Sequence, residues 1–491
     1  MVAFPIELTP FEWSMIQGAE NGSMTFFISL GLSGKLDSAA FESAVARTIA
    51  MHPFLSANIC PQSSETADSA DEISQQTSSA KRTERQKDDA ATRPSQFHWV
   101  PVTDPQPYLS IADSSQPFLY PDGESIDLRS EVGVRIWVRV GEDQIEMRFQ
   151  LHHACCDGLG AFRMIEDLLR TYSKLADSAI DLADTDQLYP LDTNALALRT
   201  AEPDTKLSIV NRILRATVIL PIRISKLFAQ KTASIVADAD VPSTDAGLFV
   251  ELPSHVFTRE LTDSLTAVAK SCGATLNDLL VRDLFLTIDD WNRTSDSKRN
   301  RNIRLLIPFS LRTKKHEQMP AANCVSMVYM AASRKMLDDP SRLLSSVTQQ
   351  RKFIRKWQIQ HSWNQTAGLA ASSPLISGLL QRRAERPIAT SVLTNLGRLF
   401  YESGFQKIDD KIQCGDLVLN SVVIVPPTEA SAPVTFGCSM YAERLTVAVN
   451  FHQPSFSKLE ADRFLDAYVD RLTNSASANA NRAQVLSPAP H

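Results

Sequence analysis

The alternation of apolar and polar side chains is cleanest over residues 145–153, IEMRFQLHH. Ile145, Met147, Phe149, Leu151 and His153 share one side of a period-two pattern, and Glu146, Arg148, Gln150 and His152 share the other. That pattern predicts a strand with one face on a core. A partner strand, VGVRIWVRV, precedes it across the turn GEDQ, and MTFFISLGLSG over 24–34 reads as a further strand running into a glycine-containing turn. The period changes to that of a helix in LDSAAFESAVARTIAMHP, where Phe41, Val45 and Ile49 share a face and Pro53 ends the run. It changes again after the histidines, where Phe162, Ile165, Leu169 and Tyr172 form one stripe.

Residues 61–96 break this style. Ser, Thr, Gln, Asp, Lys and Arg dominate, so the stretch cannot bury enough surface to offset its ordering entropy and reads as a disordered insertion. A second irregular zone covers about 176–204 and leads into KLSIVNRILRATVILPIRISKLFAQK, a basic helical segment over 206–231 that Pro221 should break or kink. The second half predicts a helix over 259–291, strands near 303–308 and 323–331, and helices to about 381. Strands follow near 390–394, 416–425, 433–441 and 445–451, then a helix over 457–473. The pattern is mixed α/β (α+β) in two lobes: 1–175, a linker over 176–245, 246–472, and a disordered tail over 473–491.

Composition adds limits. The formal net charge of −6 argues against a nucleic-acid partner, which would need a basic surface. Seven scattered cysteines with no C-x-x-C pair suit a reducing compartment. The N-terminus lacks a basic region followed by an apolar run, and no stretch nears the roughly 18 apolar residues of a membrane span. A cytoplasmic location is the expectation.

The chemistry concentrates in HHACCDG, residues 152–158. A buried imidazole at a strand end favours its neutral form, so His153 is placed to act as a general base. His152 shares a side with charged residues. Taken alone, Asp157 reads as a helix N-cap and Gly158 as a turn glycine. A metal site is disfavoured, because adjacent strand residues point to opposite faces and no second ligand pair with metal spacing occurs. Cys155 or Cys156 as nucleophile would need a lowered thiol pKa, and apolar packing is the commoner fate of such cysteines.

HHACCDG matches the H-H-x-x-x-D-G motif, and with it the sequence resembles the coenzyme-A-dependent acyltransferase superfamily. That superfamily includes condensation domains, wax-ester-synthase-like enzymes and polyketide-associated acyltransferases. MTFFISLGLSGKLDSAAFESAVARTIAMHPFLSANI, GATLNDLLVRDLF, IPFSLR, AANCVS and TSVLTNLGRL extend the likeness over nearly all of 1–472 outside the insertion, and a stand-alone member without adenylation or carrier modules is the expectation. The D-F-G-W-G motif of the plant branch is absent. The resemblance implies two chloramphenicol-acetyltransferase-like lobes, each a mixed sheet with helices, and an active-site channel between them. It implies that His153 is the general base, with the Gly158 N–H as candidate oxyanion donor. It also implies structural roles for His152 and Asp157, the latter paired with Arg312, and positions near the channel for Asn323 and Asn395. No bound cofactor is expected. Acyl-CoA or acyl-phosphopantetheine on a carrier protein would be the donor, and a small alcohol or amine the acceptor.

Two rival readings remain. One is a condensation-like binding module without transfer activity. The other is a lipid-binding or membrane-surface acyl enzyme with peripheral membrane contact through 206–231, where Lys206, Arg212, Arg215, Arg223, Lys226 and Lys231 occur without an acidic residue. The plainer reading of that segment is a crossover helix between lobes that exposes its basic side.

Overall fold

The computed structural model describes residues 4–19, 24–61, 97–176, 190–200, 207–229, 231–236, 251–293, 302–361, 389–428 and 432–486. In the first half the strands are β1 (Ile6–Glu7), β2 (Thr25–Ser33), β3 (Ala57–Pro61), β4 (Phe97–Pro101), β5 (Tyr108–Asp113), β6 (Val134–Val140) and β7 (Gln144–His152). In the second half they are β8 (Ser254–Val256), β9 (Ile303–Ser310), β10 (Val325–Ala332), β11 (Ser391–Arg398), β12 (Lys407–Ile408), β13 (Lys411–Cys414), β14 (Leu417–Val425), β15 (Val434–Tyr441) and β16 (Arg444–Phe451). They form a seven-stranded sheet in the order β12-β13-β14-β2-β7-β6-β5, a six-stranded sheet in the order β10-β9-β11-β15-β16-β8, and a small sheet β1-β4-β3.

Each large sheet carries its own buried core, so the protein is a mixed α+β fold of two lobes. In the first, the helices Ser38–Met51 and Gly158–Ala176 are tied together where the Tyr172 hydroxyl accepts from the Asp37 N–H at 3.1 Å and its ring meets Phe41 edge-on. The predicted stripe of Phe162, Ile165, Leu169 and Tyr172 is buried.

The sequence-based lobe boundaries do not follow the sheets. β14 pairs with β2, so strands β12 to β14 of the second half complete the first lobe's sheet. Leu311, Met319, Ala321, Ala322 and Cys324 also sit in the first lobe's core. The lobes meet closely at Gly437 on β15, where a Cβ would lie 2.0 Å from the Ile424 carbonyl oxygen of β14; no larger residue fits without moving backbone.

Other expectations change as well. The helix predicted over 259–291 is two helices, Arg259–Ser271 and Leu276–Asn292. The first is ended by Gly273, which takes a left-handed φ of 65°, and the second starts afresh where Thr275 and Asp278 form a reciprocal capping box. The last helix does not stop at 473: it runs Lys458–Leu486, and past 473 it stays docked because Ala476 is buried in the second core and Ser475 accepts from the Arg282 guanidinium. Pro221 lies within a continuous helical stretch, Ile209–Leu214, Arg215–Ile219 and Leu220–Ala229. The middle piece is a π-turn, in which the Leu220 N–H reaches back to the Arg215 carbonyl, so the helix accommodates the missing proline N–H by widening. Residues 62–96, most of 177–206 and 362–388 carry earlier expectations and lie outside the described residues. The strands flanking the insertion pair directly, with Pro61 opposite Phe97.

Candidate functional site

β7 ends at His152, and its register with β2 is continuous from Ser33 opposite Gln144 to Thr25 opposite His152. One face carries Ile145, Met147, Phe149 and Leu151, all buried. The other is not a solvent face. Gln150 and His152 are buried there, because the chain before β6 folds back over it. The Arg135 guanidinium donates to the Gly123 and Ser125 carbonyls, the Gln150 amide donates to the Glu124 carbonyl, and Arg148 lies 3.8 Å over the Phe118 ring. His152 does share its side of β7 with charged residues, as the parity predicts, and is buried there all the same, because loop carbonyls cap the long side chains beside it.

His153 directly follows the strand. Its N–H donates to the Met24 carbonyl at 2.8 Å, its ring lies 5.2 Å from that of Phe26, and the residue stays half-buried with Nδ1 enclosed. Burial holds its pKa below the ordinary 6.5, outweighing the opposing pull of its own carbonyl, Asp157 and Asn323. His152 Nδ1 accepts from the Ala154 N–H at 3.1 Å, which leaves the proton of the neutral ring on Nε2. Burial lowers its pKa to about 3. A cavity of about 190 Å³ lies beside His152, walled by Trp13, Ile16, Ile59, Phe97 and Leu128.

Asp157 is both a helix cap and an ion-pair partner. Oδ1 accepts from the Gly160 N–H at 2.8 Å, in the first turn of the helix Gly158–Ala176. Oδ2 accepts from Arg312 Nη1 at 2.6 Å and from the Cys324 N–H at 2.7 Å. The second guanidinium nitrogen of Arg312 donates to the Ala322 carbonyl at 2.9 Å. The carboxylate is buried and the arginine mostly so. The Asn323 amide donates to the His153 carbonyl and, at 3.1 Å, to the Ala154 carbonyl. The stretch Arg312–Cys324 therefore clamps the chain around His153 from the second half of the sequence.

Gly158 occupies the first helical position, where an N–H has no intrahelical acceptor, and no partner for it occurs among the described residues. A Cβ there would come 2.8 Å from Leu396 Cδ1, so the motif loop touches β11. Asn395, next to Leu396, has its side chain engaged away from the motif loop. Its amide nitrogen donates to Asn277 Oδ1 at 3.1 Å and its oxygen accepts from the Gly397 N–H.

His52, in the HP-x-L stretch, had no assigned role in the sequence. It is fully buried, its Nδ1 accepts from the Ala321 N–H at 3.0 Å, and its Nε2 lies 3.4 Å from Asp167 Oδ2. It is a second tie to the same clamp. The only local signal for it was a histidine immediately before a helix-ending proline.

Cys155 and Cys156 are fully buried and their thiols are pushed well above the ordinary value by that burial, which suits packing and not nucleophilic attack. Among the described residues no cluster of three or more His, Cys, Asp or Glu could hold a metal ion, and no helix is long and apolar enough to cross a membrane.

No family model matches the sequence. A stretch of 171 residues is 30% identical to uncharacterized protein Rv2305 of Mycobacterium tuberculosis, covering 35% of each chain. The chain thus matches about a third of that relative's length. Whole-chain likeness comes from structures. The first condensation domain of the calcium-dependent antibiotic synthetase, in complex with a substrate analogue, aligns over 97% of both chains at 14% identity with a TM-score of 0.62. The fold is that of condensation domains. The starter condensation domain of rhizomide synthetase in complex with C8-CoA aligns over 96% of this chain and 95% of that one, at 10% identity and a TM-score of 0.62. Polyketide synthase associated protein 5 of Mycobacterium tuberculosis aligns over 97% of this chain and 99% of its own, at 15% identity and a TM-score of 0.56.

Proposed function

We propose that the protein is an acyltransferase that moves an acyl group from a thioester, on CoA or on a carrier protein's phosphopantetheine, to the hydroxyl or amine of a small acceptor. What supports this reading is that His153, directly after β7 and with its pKa lowered by burial, lies five residues before Gly158, whose N–H opens a helix without a partner among the described residues, on a loop held by Arg312 and Asn323. With Nδ1 enclosed, Nε2 is the nitrogen left to accept a proton. As the acceptor oxygen or nitrogen attacks the thioester carbonyl, its proton passes to Nε2. The tetrahedral oxyanion accepts from the Gly158 N–H, aided by the positive end of the helix. Collapse breaks the C–S bond, the thiolate takes the proton back from the imidazolium, and an ester or amide leaves with a free thiol.

Asp157, Arg312 and Asn323 act on this chemistry through position: the Asp157 oxygens, both terminal nitrogens of Arg312 and the Asn323 amide nitrogen are engaged with one another and with backbone, while Asn323 Oδ1 is buried without a partner among the described residues. A CoA donor draws support from the rhizomide synthetase domain, whose structure holds C8-CoA. The test is to mix the protein with a panel of acyl-CoAs and acceptors and follow free thiol. His153→Ala should lower turnover by about 10²–10⁴, the usual worth of a general base, with an unchanged circular dichroism spectrum. Near-normal turnover in that folded variant would refute the mechanism. Gly158→Ala should lower turnover with little change in melting temperature, because the added methyl displaces Leu396 beside the oxyanion position.

A further inference from the structure

The helical stretch Ile209–Ala229 exposes much of its apolar surface in its first half and turns Arg215 inward. A helix lying on a protein body ordinarily buries its apolar stripe and exposes its charges. Here Arg215 is buried and donates through Nη1 to the Gln358 carbonyl at 3.2 Å, and Arg223 reaches the Tyr329 carbonyl at 3.2 Å. Ile209, Val210, Ile213 and Leu214 face solvent with 73, 72, 58 and 38% of their surface exposed. Their spacing of one, three and four places them on one side of the helix. Val218 at 43% and Ile222 at 50% continue the exposure across the π-turn. Of thirteen large hydrophobic residues exposed among the described residues, six lie on this one element, so the exposure is a patch and not scatter. The crossover helix expected from the sequence to expose its basic side does expose Arg212, but it buries Arg215, half-buries Arg223 and exposes apolar residues beside them.

Charge indicates what covers the patch. The segment 206–231 has six lysines and arginines and no acid, in a chain whose net charge is −6. Arg212 is exposed beside Ile209 and Ile213. The neighbouring helix Pro340–Lys356 ends with Lys352, Arg355 and Lys356 exposed, around a Phe353 ring that lies 5.8 Å from the Arg223 guanidinium. His361 nearby has its pKa lowered by burial first and by Arg215 second. A second copy docking isologously would set these cations against their own equivalents. An anionic bilayer offers the complementary pair of features, apolar chains beneath a layer of phosphates.

We propose that this face docks the protein peripherally on anionic phospholipid membranes, with Ile209, Val210, Ile213 and Leu214 entering the head-group boundary and Arg212, Lys352, Arg355 and Lys356 meeting phosphates. The inference is independent of the acyl-transfer reading, because none of these side chains touches His153, Gly158 or their clamp.

The test is co-sedimentation of the full chain with vesicles of phosphatidylcholine alone or mixed with phosphatidylglycerol, at low and high salt. Binding should require the anionic lipid and weaken as salt rises. The triple variant Ile209→Ser, Val210→Ser, Ile213→Ser should bind at least about tenfold more weakly, with unchanged melting temperature and unchanged turnover of soluble substrates. Arg212→Glu should weaken binding by a smaller factor that high salt abolishes. Wild-type protein that stays in the supernatant, or a triple variant that binds like wild type, would overturn the proposal. So would a concentration-dependent dimer in lipid-free buffer that the triple variant dissolves, which would assign the face to a second copy.

Discussion

Asp157 in the first lobe and Asp278 in the second each sit at a helix start, and each meets an arginine from a distant stretch of chain. Asp278 closes its capping box with Thr275 and accepts from Arg351 Nε at 2.8 Å, all within one lobe. Asp157 caps its helix through Gly160 and takes Arg312 from a segment that follows β9 of the other sheet. Asp278 is fully buried and Asp157 nearly so. The chemistry is the same and the connectivity differs. One pair fastens two helices of a single core, whereas the other fastens the two halves of the chain around His153. A buried carboxylate–arginine pair therefore says little about function until its partner's origin is known.

Removing the acids should separate the two roles most strongly. Asp157→Ala should destabilise the protein by about 3–5 kcal/mol, because a buried arginine loses its partner, and should also cut turnover per folded molecule by about 10². Asp278→Ala should cost similar stability and leave the turnover of the folded fraction near normal. Denaturant titration together with activity corrected for folded fraction would measure both. Equal loss of turnover in the two variants would break the distinction.

The arginines offer a finer cut. Arg312 uses one guanidinium nitrogen on Asp157 and the other on the Ala322 carbonyl, which a lysine cannot reproduce. Arg312→Lys should cost about 1.5–3 kcal/mol, the worth of a hydrogen bond to a charged group. Arg351 contacts Asp278 only through Nε among the described residues, so Arg351→Lys should cost less.

Acid should act on the two histidines of the motif in different ways. Burial holds the His153 pKa below the ordinary 6.5, so more than half of the base is neutral at pH 6.5 and the acidic limb of kcat/KM should be centred below it. A limb centred at or above 6.5 would contradict the burial of that ring. His152 sits at about 3 when folded, against 6.5 as its ordinary value. Its folded pKa is depressed, so its contribution to stability is complete above pH 6.5 and is lost as pH falls from there towards about 3. His152→Phe should flatten that part of the stability profile.

The smallest effect should come from deleting residues 63–94. Pro61 and Phe97 already face each other, so three remaining residues would close the β3–β4 hairpin. Stability should move by no more than about 0.5 kcal/mol and turnover should not change. A large fall in melting temperature would tie the insertion to the lobes.

Local pattern carried the sequence a long way here. The period-two parity of residues 145–153 correctly put Met147, Phe149 and Leu151 in the core and His153 at the strand's end. The Asp157–Arg312 contact was expected from the family resemblance, and the ion pair is present. What local pattern lacks is long-range pairing. Nothing in the period of 416–425 says that this strand lies against β2, and nothing around His52 says that its ring meets the Ala321 N–H. Loop cover is equally silent, because carbonyls supplied by Gly123 and Ser125 leave no trace in the alternation they mask.

The pairing of β2 with β14 reaches into the biosynthesis of the chain. Ile28 waits for Ile424 as its neighbour. At a synthesis rate of about 5–20 residues per second, that wait is on the order of tens of seconds on the ribosome. Throughout it, β2 has one open edge, a template for pairing with any other extended chain. A fragment that ends before β14 would therefore be born with an adhesive edge. Splitting the chain between the lobes yields two aggregation-prone pieces instead of two domains.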